Sequence, residues 1–324
     1  MSRGRWMTVA VWGVGLILLA WALRQVNWTQ LWEILRGLSL PKIALLMALN
    51  ALILLALTAR WRAFVNTQPQ KIAFATLFQA RLAAFSLSYF TPGPQFGGEP
   101  LQVLALKQRQ VPLSVATATV ALDKLVELLT NFTVLALGVV ALWWVGLGEA
   151  NARVWASILA AGLLVWPVGY LGLLWLGRYP LAAIFQWLAA RRREGRLRRG
   201  LELLAESERL AGQLARERPA VVMMALLWAG LAWALMLLEF GFSAHFLGAT
   251  LSPAETLAAL AAARLAFLLP MPGGLGALAS SQVIVFTAMG YDPNAALALV
   301  IYIRARDVII GVIGALLAGR MWHA

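Results

Sequence analysis

Cysteine is absent from this chain of 324 residues, and histidine occurs only at His245 and His323. The absence of cysteine excludes disulfides, iron–sulfur clusters, thiolate metal sites and cysteine nucleophiles. Two histidines cannot form a histidine-rich metal site, so we expect no metal and no cofactor. The soluble-enzyme motifs GxxxxGK[ST], HExxH and GxSxG do not occur either. We therefore predict that the chain is not an enzyme.

Charged residues are also scarce. They make up 13% of the chain, hydrophobic residues make up 61%, and the mean hydropathy is +0.77. An ordinary soluble domain has about 25% charged residues, so we expect lipid to be the solvent for most of the surface. The net charge of +13 is compatible with nucleic-acid binding. However, the basic residues fall between apolar runs, as the positive-inside rule requires, and we expect no nucleic-acid partner.

Long apolar runs predict membrane-spanning helices, because about 20 apolar residues cross the hydrocarbon core. The predicted spans are about Met7–Leu23, Pro41–Ala59, Leu113–Val145, Val154–Leu176, Ala220–Leu247 and Pro293–Ala318. No cleavage signal follows the first run, so we expect an uncleaved span. Segments assigned to one side, which include Arg60 in a loop after the second span, hold 18 of the 27 Lys and Arg residues, and the other side holds 4. The remaining 5 lie inside apolar stretches and are Arg81, Lys124, Arg264, Arg304 and Arg306, and Glu239 is a further candidate for a buried charge. This bias predicts both termini in the cytoplasm and insertion into the cytoplasmic (inner) membrane.

Two further apolar stretches, Ile72 to Leu106 and Leu257 to Met289, are interrupted near their middles. The first contains TPGPQFGGEP and the second contains LPMPGGLGA. Proline removes a backbone donor and clashes with the preceding turn, while glycine permits a chain reversal. We predict two helix–break–helix (re-entrant) hairpins, each of which enters and leaves the membrane on one side. Such backbone is tolerated at depth when it is buried in protein or lines a wet cavity.

The two hairpins begin similar units, which cover residues 71–147 and 256–319. Each unit has an arginine, Arg81 or Arg264, followed by a proline–glycine cluster and then a further proline. That proline precedes Asp123 by 11 residues in the first unit and Arg304 by 11 in the second. Three predicted spans lie between the first hairpin and the second, an odd number that would orient the units oppositely, as in the inverted repeats of transporters. We predict an all-α polytopic transmembrane bundle, one domain over residues 1–324; a chance match of common membrane prolines and glycines is the alternative.

Two polar pieces outside the spans are expected to lie at the membrane surface. Residues 180–218 contain RRREGRLRR, with leucines at helical spacing, which predicts a cytoplasmic amphipathic segment. Its arginines either attract anionic headgroups or serve only to keep the loop in the cytoplasm. The tryptophan-rich segment Trp28–Leu38 predicts a short interfacial helix.

Charged residues inside the apolar stretches indicate a functional cavity, since each costs roughly 2.5–3.5 kcal/mol at the bilayer centre. Helices that restart after the glycine pairs would offer unpaired N–H groups to a phosphate, and the arginines could add bidentate donors. Glu99 either caps a helix or binds a cationic group of the ligand. For all of these buried charges, the alternative is that they form ion pairs that only hold the bundle together. The candidate headgroup-binding residues are Arg81, Gly97, Gly98, Glu99, Asp123, Lys124, Glu127, Arg264, Gly273, Gly274, Arg304 and Asp307.

With these motifs, the chain resembles the flippase-like transmembrane family typified by the membrane region of lysylphosphatidylglycerol synthetases. The resemblance is carried by Arg81, P-x-x-GGE at Pro94 to Glu99, Asp123-Lys124, PGGLG at Pro272 to Gly276, and Arg304. Ala279 stands near the place where the family pattern has a glutamate, which weakens a symmetric two-carboxylate mechanism. These 324 residues contain no aminoacyl-transferase domain, so we expect no synthesis of aminoacylated lipid.

The resemblance and the buried charges lead to the hypothesis of a lipid flippase or translocator. Its substrate would be a phosphate-headgroup lipid of the aminoacylated phospholipid or polyprenyl-phosphate type, and its partners would be membrane lipids with anionic headgroups. The alternative is a non-catalytic membrane partner that binds lipid and docks a lipid-modifying or glycosyl-transferring enzyme through Arg191–Arg199. An intramembrane enzyme ranks last, because no nucleophile–base pair is recognisable. The sequence leaves open whether the protein forms a homo-oligomer.

Overall fold

The computed structural model describes residues 28–90, 97–146, 150–192, 195–268 and 276–323. Within these ranges the chain forms twelve α-helices and no strand, which confirms the all-α prediction. The helices are α1 (Trp28–Arg36), α2 (Leu40–Val65), α3 (Phe74–Phe90), α4 (Glu99–Lys107), α5 (Leu113–Val145), α6 (Ala150–Trp175), α7 (Pro180–Ala190), α8 (Arg196–Glu217), α9 (Pro219–Phe246), α10 (Pro253–Leu268), α11 (Ala277–Ala288) and α12 (Pro293–His323).

Four of these helices, α2, α5, α6 and α9, are long and apolar enough to cross a membrane. They match four predicted spans closely, except that α2 continues past Ala59 to Val65. The last turns of α2 stay helical because Trp61, Phe64 and Val65 are buried in the bundle. Helix α12 is as long as these four but carries charged residues near its middle. The predicted span Met7–Leu23 lies outside the described residues.

Helices α2 and α9 form the most extensive helix pair and run antiparallel. At one end of the pair, the Lys42 ammonium lies 5.3 Å from the centre of the Phe246 ring. At the other end, the Arg218 guanidinium lies 3.5 Å from the backbone carbonyl of Thr67. The C-termini of the two helices therefore point to opposite ends of the bundle.

Helix α4 packs back along α3. The Gly98 amide donates to Ser88 Oγ at 2.9 Å, and a Cβ at Gly98 would lie only 2.0 Å from the Ala84 carbonyl oxygen. This approach requires glycine. Beyond the far ends of the two helices, Gln70 Nε2 lies 3.4 Å from the Gln110 carbonyl, so the entry and exit of this pair are adjacent. Most of the predicted break, residues 91–96, lies outside the described residues.

Helix α11 packs back along α10 in the same way. Gln282 Nε2 donates to the Ala259 carbonyl at 3.1 Å, and the Tyr291 hydroxyl donates to the Thr250 carbonyl at 2.8 Å. The segments that enter and leave this second pair are therefore adjacent as well. Residues 269–275, which contain the predicted break, lie outside the described residues.

Each of these helix pairs packs against a long helix of the other unit. Helix α3 lies against α12, and α10 lies against α5. Both crossings use a glycine: a Cβ at Gly314 would lie 2.1 Å from the Leu82 carbonyl oxygen, and one at Gly138 would lie 2.2 Å from the Ala261 Cβ. Close backbone approach therefore joins the two units reciprocally.

The predicted amphipathic segment, residues 180–218, folds as the two helices α7 and α8. Glu208 of α8 accepts hydrogen bonds from the Leu181 amide at 3.2 Å and from the Ala182 amide. It also accepts the Tyr170 hydroxyl of α6 at 2.5 Å. The first amides of a helix lack intrahelical partners. Glu208, which belongs to a different helix, therefore caps the N-terminus of α7. The predicted interfacial segment Trp28–Leu38 is helical over Trp28–Arg36.

A charged cavity between the two units

A cavity of about 260 Å³ lies between helices α2, α3, α4, α5, α9, α10 and α12. Its lining contains five cationic and five anionic side chains, so its formal net charge is zero. They are Arg60, Arg81, Lys124, Arg264 and Arg306, with Glu99, Asp123, Glu127, Glu239 and Asp307. Electroneutrality matters here because an uncompensated charge away from water is costly.

Asp123 of α5 is the centre of the first ion-pair cluster. Arg60 Nε donates to Asp123 Oδ1 at 2.7 Å, and Arg81 Nη2 donates to Asp123 Oδ2 at 2.6 Å. Arg60 also binds Glu127 at 2.9 Å. The Arg60 residue is only 1% exposed, so water contributes little to its solvation. These carboxylates replace the lost water for Arg60 and in part for Arg81, whose buried Nε has no hydrogen-bond partner among the described residues.

Lys124 extends this cluster to α4. Its ammonium lies 2.6 Å from Glu127 and 3.2 Å from Glu99. The Gly97 amide donates to the second oxygen of Glu99 at 2.8 Å, so Glu99 combines an ion pair with a contact to the helix start. All three carboxylates of the cluster therefore already bind protein cations.

Arg306 of α12 is the centre of a second cluster. Its Nη1 lies 2.6 and 2.7 Å from the two oxygens of Glu239 on α9. Its Nε and Nη2 lie 3.0 and 2.9 Å from Asp307 Oδ1. The Tyr302 hydroxyl donates to Glu239 at 2.8 Å. One arginine thus holds two carboxylates, which leaves this cluster with one excess negative charge.

Arg264 of α10 supplies the compensating positive charge without touching either carboxylate. Its Nη2 lies 3.1 Å from Met236 Sδ, and its guanidinium carbon lies 5.0 Å from the Trp233 ring centre. Among the described residues, it is the one cavity cation that forms no ion pair. A half-buried guanidinium with these neighbours keeps most of its donors free for an anion.

The two clusters lie at different depths in the bundle. Arg60 precedes Thr67 by 7 residues, whereas Glu239 follows Arg218, which contacts Thr67, by 21 residues. With a rise of 1.5 Å per residue, the backbones of Arg60 and Glu239 are offset by roughly 20 Å along the α2–α9 pair. The cavity therefore extends along the bundle axis.

Most of the candidate residues from the sequence meet in this cavity. Those that line it are Arg81, Gly98, Glu99, Asp123, Lys124, Glu127, Arg264 and Asp307. Gly97 is adjacent through its bond to Glu99, and Gly273 and Gly274 lie outside the described residues.

Arg304 is not among the cavity-lining residues, and its guanidinium carbon lies 5.5 Å from the Phe267 ring centre. Arg306, rather than Arg304, forms the ion pair with Asp307. Asp307 is on the cavity side as predicted, but the arginine next to it in sequence binds it.

Sequence reasoning missed the role of Arg60. It placed this arginine in a cytoplasmic loop, because the apolar run ends at Ala59. A regular spacing could have revealed it: Arg60 precedes the first residue of α3, Phe74, by 14 residues, and Glu239 precedes the first residue of α10, Pro253, by 14 residues. Glu239 and Arg306 had been noted as buried charges but not as site residues.

Comparison with known proteins agrees with this architecture. No curated protein and no solved structure matches the chain significantly. The model of the family described as the lysylphosphatidylglycerol synthase TM region matches residues 7–315. Together with four long apolar helices, this match indicates an integral membrane protein with a membrane lipid-related function. The chain thus belongs to the lysylphosphatidylglycerol synthase TM region family, as its motifs predicted.

Proposed function

We propose that this protein moves a lipid with a phosphate-bearing headgroup between the two leaflets of the membrane. The observation that carries the proposal is Arg264, a cavity cation without an ion pair among the described residues. The cavity volume of about 260 Å³ is near the lower end of small-ligand sites, roughly 300–1,000 Å³. That volume suits a headgroup, while the acyl chains would stay in the surrounding lipid.

The helix packing supports the inverted repeat on which this mechanism rests. Helix α3 packs on α12, and α10 packs on α5, so each unit contributes equivalent partners to the other. One hairpin follows the C-terminus of α2 and the other follows the C-terminus of α9. Because α2 and α9 are antiparallel, the two hairpins would open toward opposite ends of the bundle. Broken helices that meet between inverted repeats are typical of transporters.

The ion pairs support the same relation. Arg60 and Glu239 occupy matching positions, each 14 residues before its hairpin. Arg60 on α2 binds carboxylates on α5, whereas Glu239 on α9 binds Arg306 on α12, so the helix that precedes each hairpin pairs with the long helix that follows it, with the charges exchanged. Because the two charged clusters are offset along the bundle axis, each would provide a polar binding site for the headgroup near one of the two leaflets.

The partners of the carboxylates indicate how a headgroup would be held. Glu99, Asp123 and Glu127 already bind protein cations, so we assign them no cationic ligand group. Arg264 would bind the phosphate. Asp307 Oδ2, which accepts no hydrogen bond from a described residue, would accept a hydrogen bond from an ammonium or hydroxyl group of the same headgroup.

A leaflet-exchange assay in reconstituted vesicles tests the proposal. We expect the wild-type protein to speed the exchange of a labelled phospholipid, and Arg264→Gln to abolish the acceleration because the phosphate loses its cation. Arg62→Gln is the matched control, since Arg62 is exposed on α2. Wild-type protein that is inactive on anionic, aminoacylated and polyprenyl-phosphate lipids would refute the proposal. Full activity of folded Arg264→Gln would do so too.

The orientation of the hairpins has a separate test, which the absence of cysteine makes simple. One thiol is introduced by Gln110→Cys and, in a second variant, by Thr250→Cys. A membrane-impermeant thiol reagent should label the two variants from opposite sides of sealed vesicles. Labelling of both from the same side would exclude the inverted repeat.

A further inference from the structure

Helix α7 exposes an apolar face that nothing in the described bundle covers. Leu181, Ile184 and Trp187 are 40%, 51% and 53% exposed, whereas Ala182 and Ala189 on the opposite face are buried. The helix has 11 residues, or about 16 Å, which is about half of the hydrocarbon thickness. It is therefore too short to cross the membrane, although its exposed face is apolar.

The position of α7 is fixed by α8. Glu208 caps its first amides and also binds Tyr170 of α6. The C-terminal half of α8 is anchored in the bundle, where Ala211 and Ala215 join a buried apolar cluster with Ala225 of α9. The apolar face is thus held at a set place at the edge of the bundle.

Arginines border this face where α7 ends and α8 begins. Arg191, Arg192, Arg196 and Arg199 are exposed, and none forms an ion pair with a described residue. The Arg191 guanidinium lies 3.6 Å from the centre of the Trp187 ring. Basic residues that flank an apolar, tryptophan-bearing helix face are the pattern of helices that lie in the plane of a membrane interface.

The neighbouring surface is apolar as well. Helix α6 exposes Trp166 and Trp175, 55% and 54% exposed, and Leu176 just beyond it is 75% exposed. The chain enters α7 only four residues after Leu176. Helices α6 and α7 both pack against α8, so the exposed face of α7 lies close to a candidate membrane span, which favours lipid over a soluble protein as its occupant.

We infer that α7 and the start of α8 form a binding surface for anionic lipids, separate from the cavity. Leu181, Ile184 and Trp187 lie at the boundary between headgroups and acyl chains, and the arginines bind the phosphates of anionic lipids. Basic residues near an anionic membrane surface are attracted to it electrostatically. Several free arginines at one edge would therefore enrich anionic lipid locally.

The depth of α7 can be measured with spin labels on single introduced thiols, because the chain has no cysteine. The sites are Ile184→Cys on α7, Glu206→Cys on the exposed side of α8, and Leu227→Cys on α9, which is 62% exposed. In bilayers of phosphatidylcholine and phosphatidylglycerol, the label at 184 should be accessible to oxygen, like the label at 227, and shielded from a water-soluble nickel relaxant. If the label at 184 were as accessible to the nickel relaxant as the label at 206, the inference would be overturned, and a soluble partner would be the occupant of this face.

The choice of lipid is tested by energy transfer from a dye on the thiol of Ile184→Cys to acceptor-labelled lipid. We expect greater transfer to phosphatidylglycerol than to phosphatidylcholine at equal acceptor density. The triple change Arg191→Gln, Arg196→Gln and Arg199→Gln should remove the excess. Lys71→Gln, Lys107→Gln and Arg109→Gln together make the same charge change at other exposed sites and should preserve it. Equal transfer to both lipids, or an excess that survives the first triple change, would overturn the lipid assignment.

Discussion

Asp123→Asn should destabilise the protein strongly, because it removes the carboxylate that two arginines share. The Asp123 side chain is only 5% accessible, and it accepts bonds of 2.7 and 3.1 Å from Arg60 and of 2.6 Å from Arg81. The substitution turns a cluster of three cations and three carboxylates into one with an excess positive charge. Removing one partner of a buried ion pair costs about 3–5 kcal/mol.

The apparent melting temperature in detergent, followed by circular dichroism, measures this effect. With an unfolding entropy of about 2.1 cal/mol/K per residue, a loss of 1 kcal/mol lowers the melting temperature of a 324-residue chain by about 1.5 °C, so we expect a drop of roughly 4–7 °C. Glu202→Gln is the matched control: Glu202 pairs with Arg198 on the exposed side of α8, and such pairs contribute about 0–1 kcal/mol. Adding Arg81→Gln to Asp123→Asn should restore part of the stability by removing the excess cation. Equal melting temperatures for Asp123→Asn and Glu202→Gln would refute this account of the cluster.

Three further substitutions test other parts of the structure. Arg264→Gln should leave the melting temperature unchanged or higher while it abolishes lipid exchange, since Arg264 has no ion pair within the described residues; a large drop would mean that its role is structural. Gly98→Ala should destabilise the protein by about 1–3 kcal/mol, because the new Cβ would meet the α3 backbone. Gly162→Ala is the control, since it places its Cβ in open space and should stabilise the protein by up to about 1 kcal/mol. Similar melting temperatures for the two variants would contradict the tight α3–α4 contact. Glu208→Gln should weaken the cap of α7 by about 1–3 kcal/mol. Hydrogen exchange at amides 181 and 182 should therefore become roughly 5- to 150-fold faster, whereas the exposed control Glu206→Gln should leave it unchanged. Unchanged exchange in Glu208→Gln would rule out the cap.

Arg60 and Arg304 show where sequence reasoning reached its limit. An arginine at the end of an apolar run is usually a loop residue, so Arg60 was assigned to the cytoplasm. Helix α2 instead continues to Val65 and turns Arg60 toward a carboxylate 63 residues away. The sequence favours Arg304 over Arg306 because Arg304 follows Pro293 by 11 residues and matches the family motif. The choice of Arg306 depends on Glu239, which is 67 residues away, and no local pattern contains that contact.

The sequence alone determined the class of the protein and four of its long spans, and its proline–glycine clusters predict where two further apolar stretches are interrupted. These properties follow from the length of apolar runs and from the backbone preferences of proline and glycine, which act within a few residues. Tertiary structure decided which charges pair and which cation stays free. A salt bridge needs its atoms within about 4 Å, and that distance depends on how each helix is rotated and packed. Arg264 is already a candidate headgroup ligand from the sequence, but it forms no ion pair among the described residues because the fold gives Glu239 and Asp307 to Arg306.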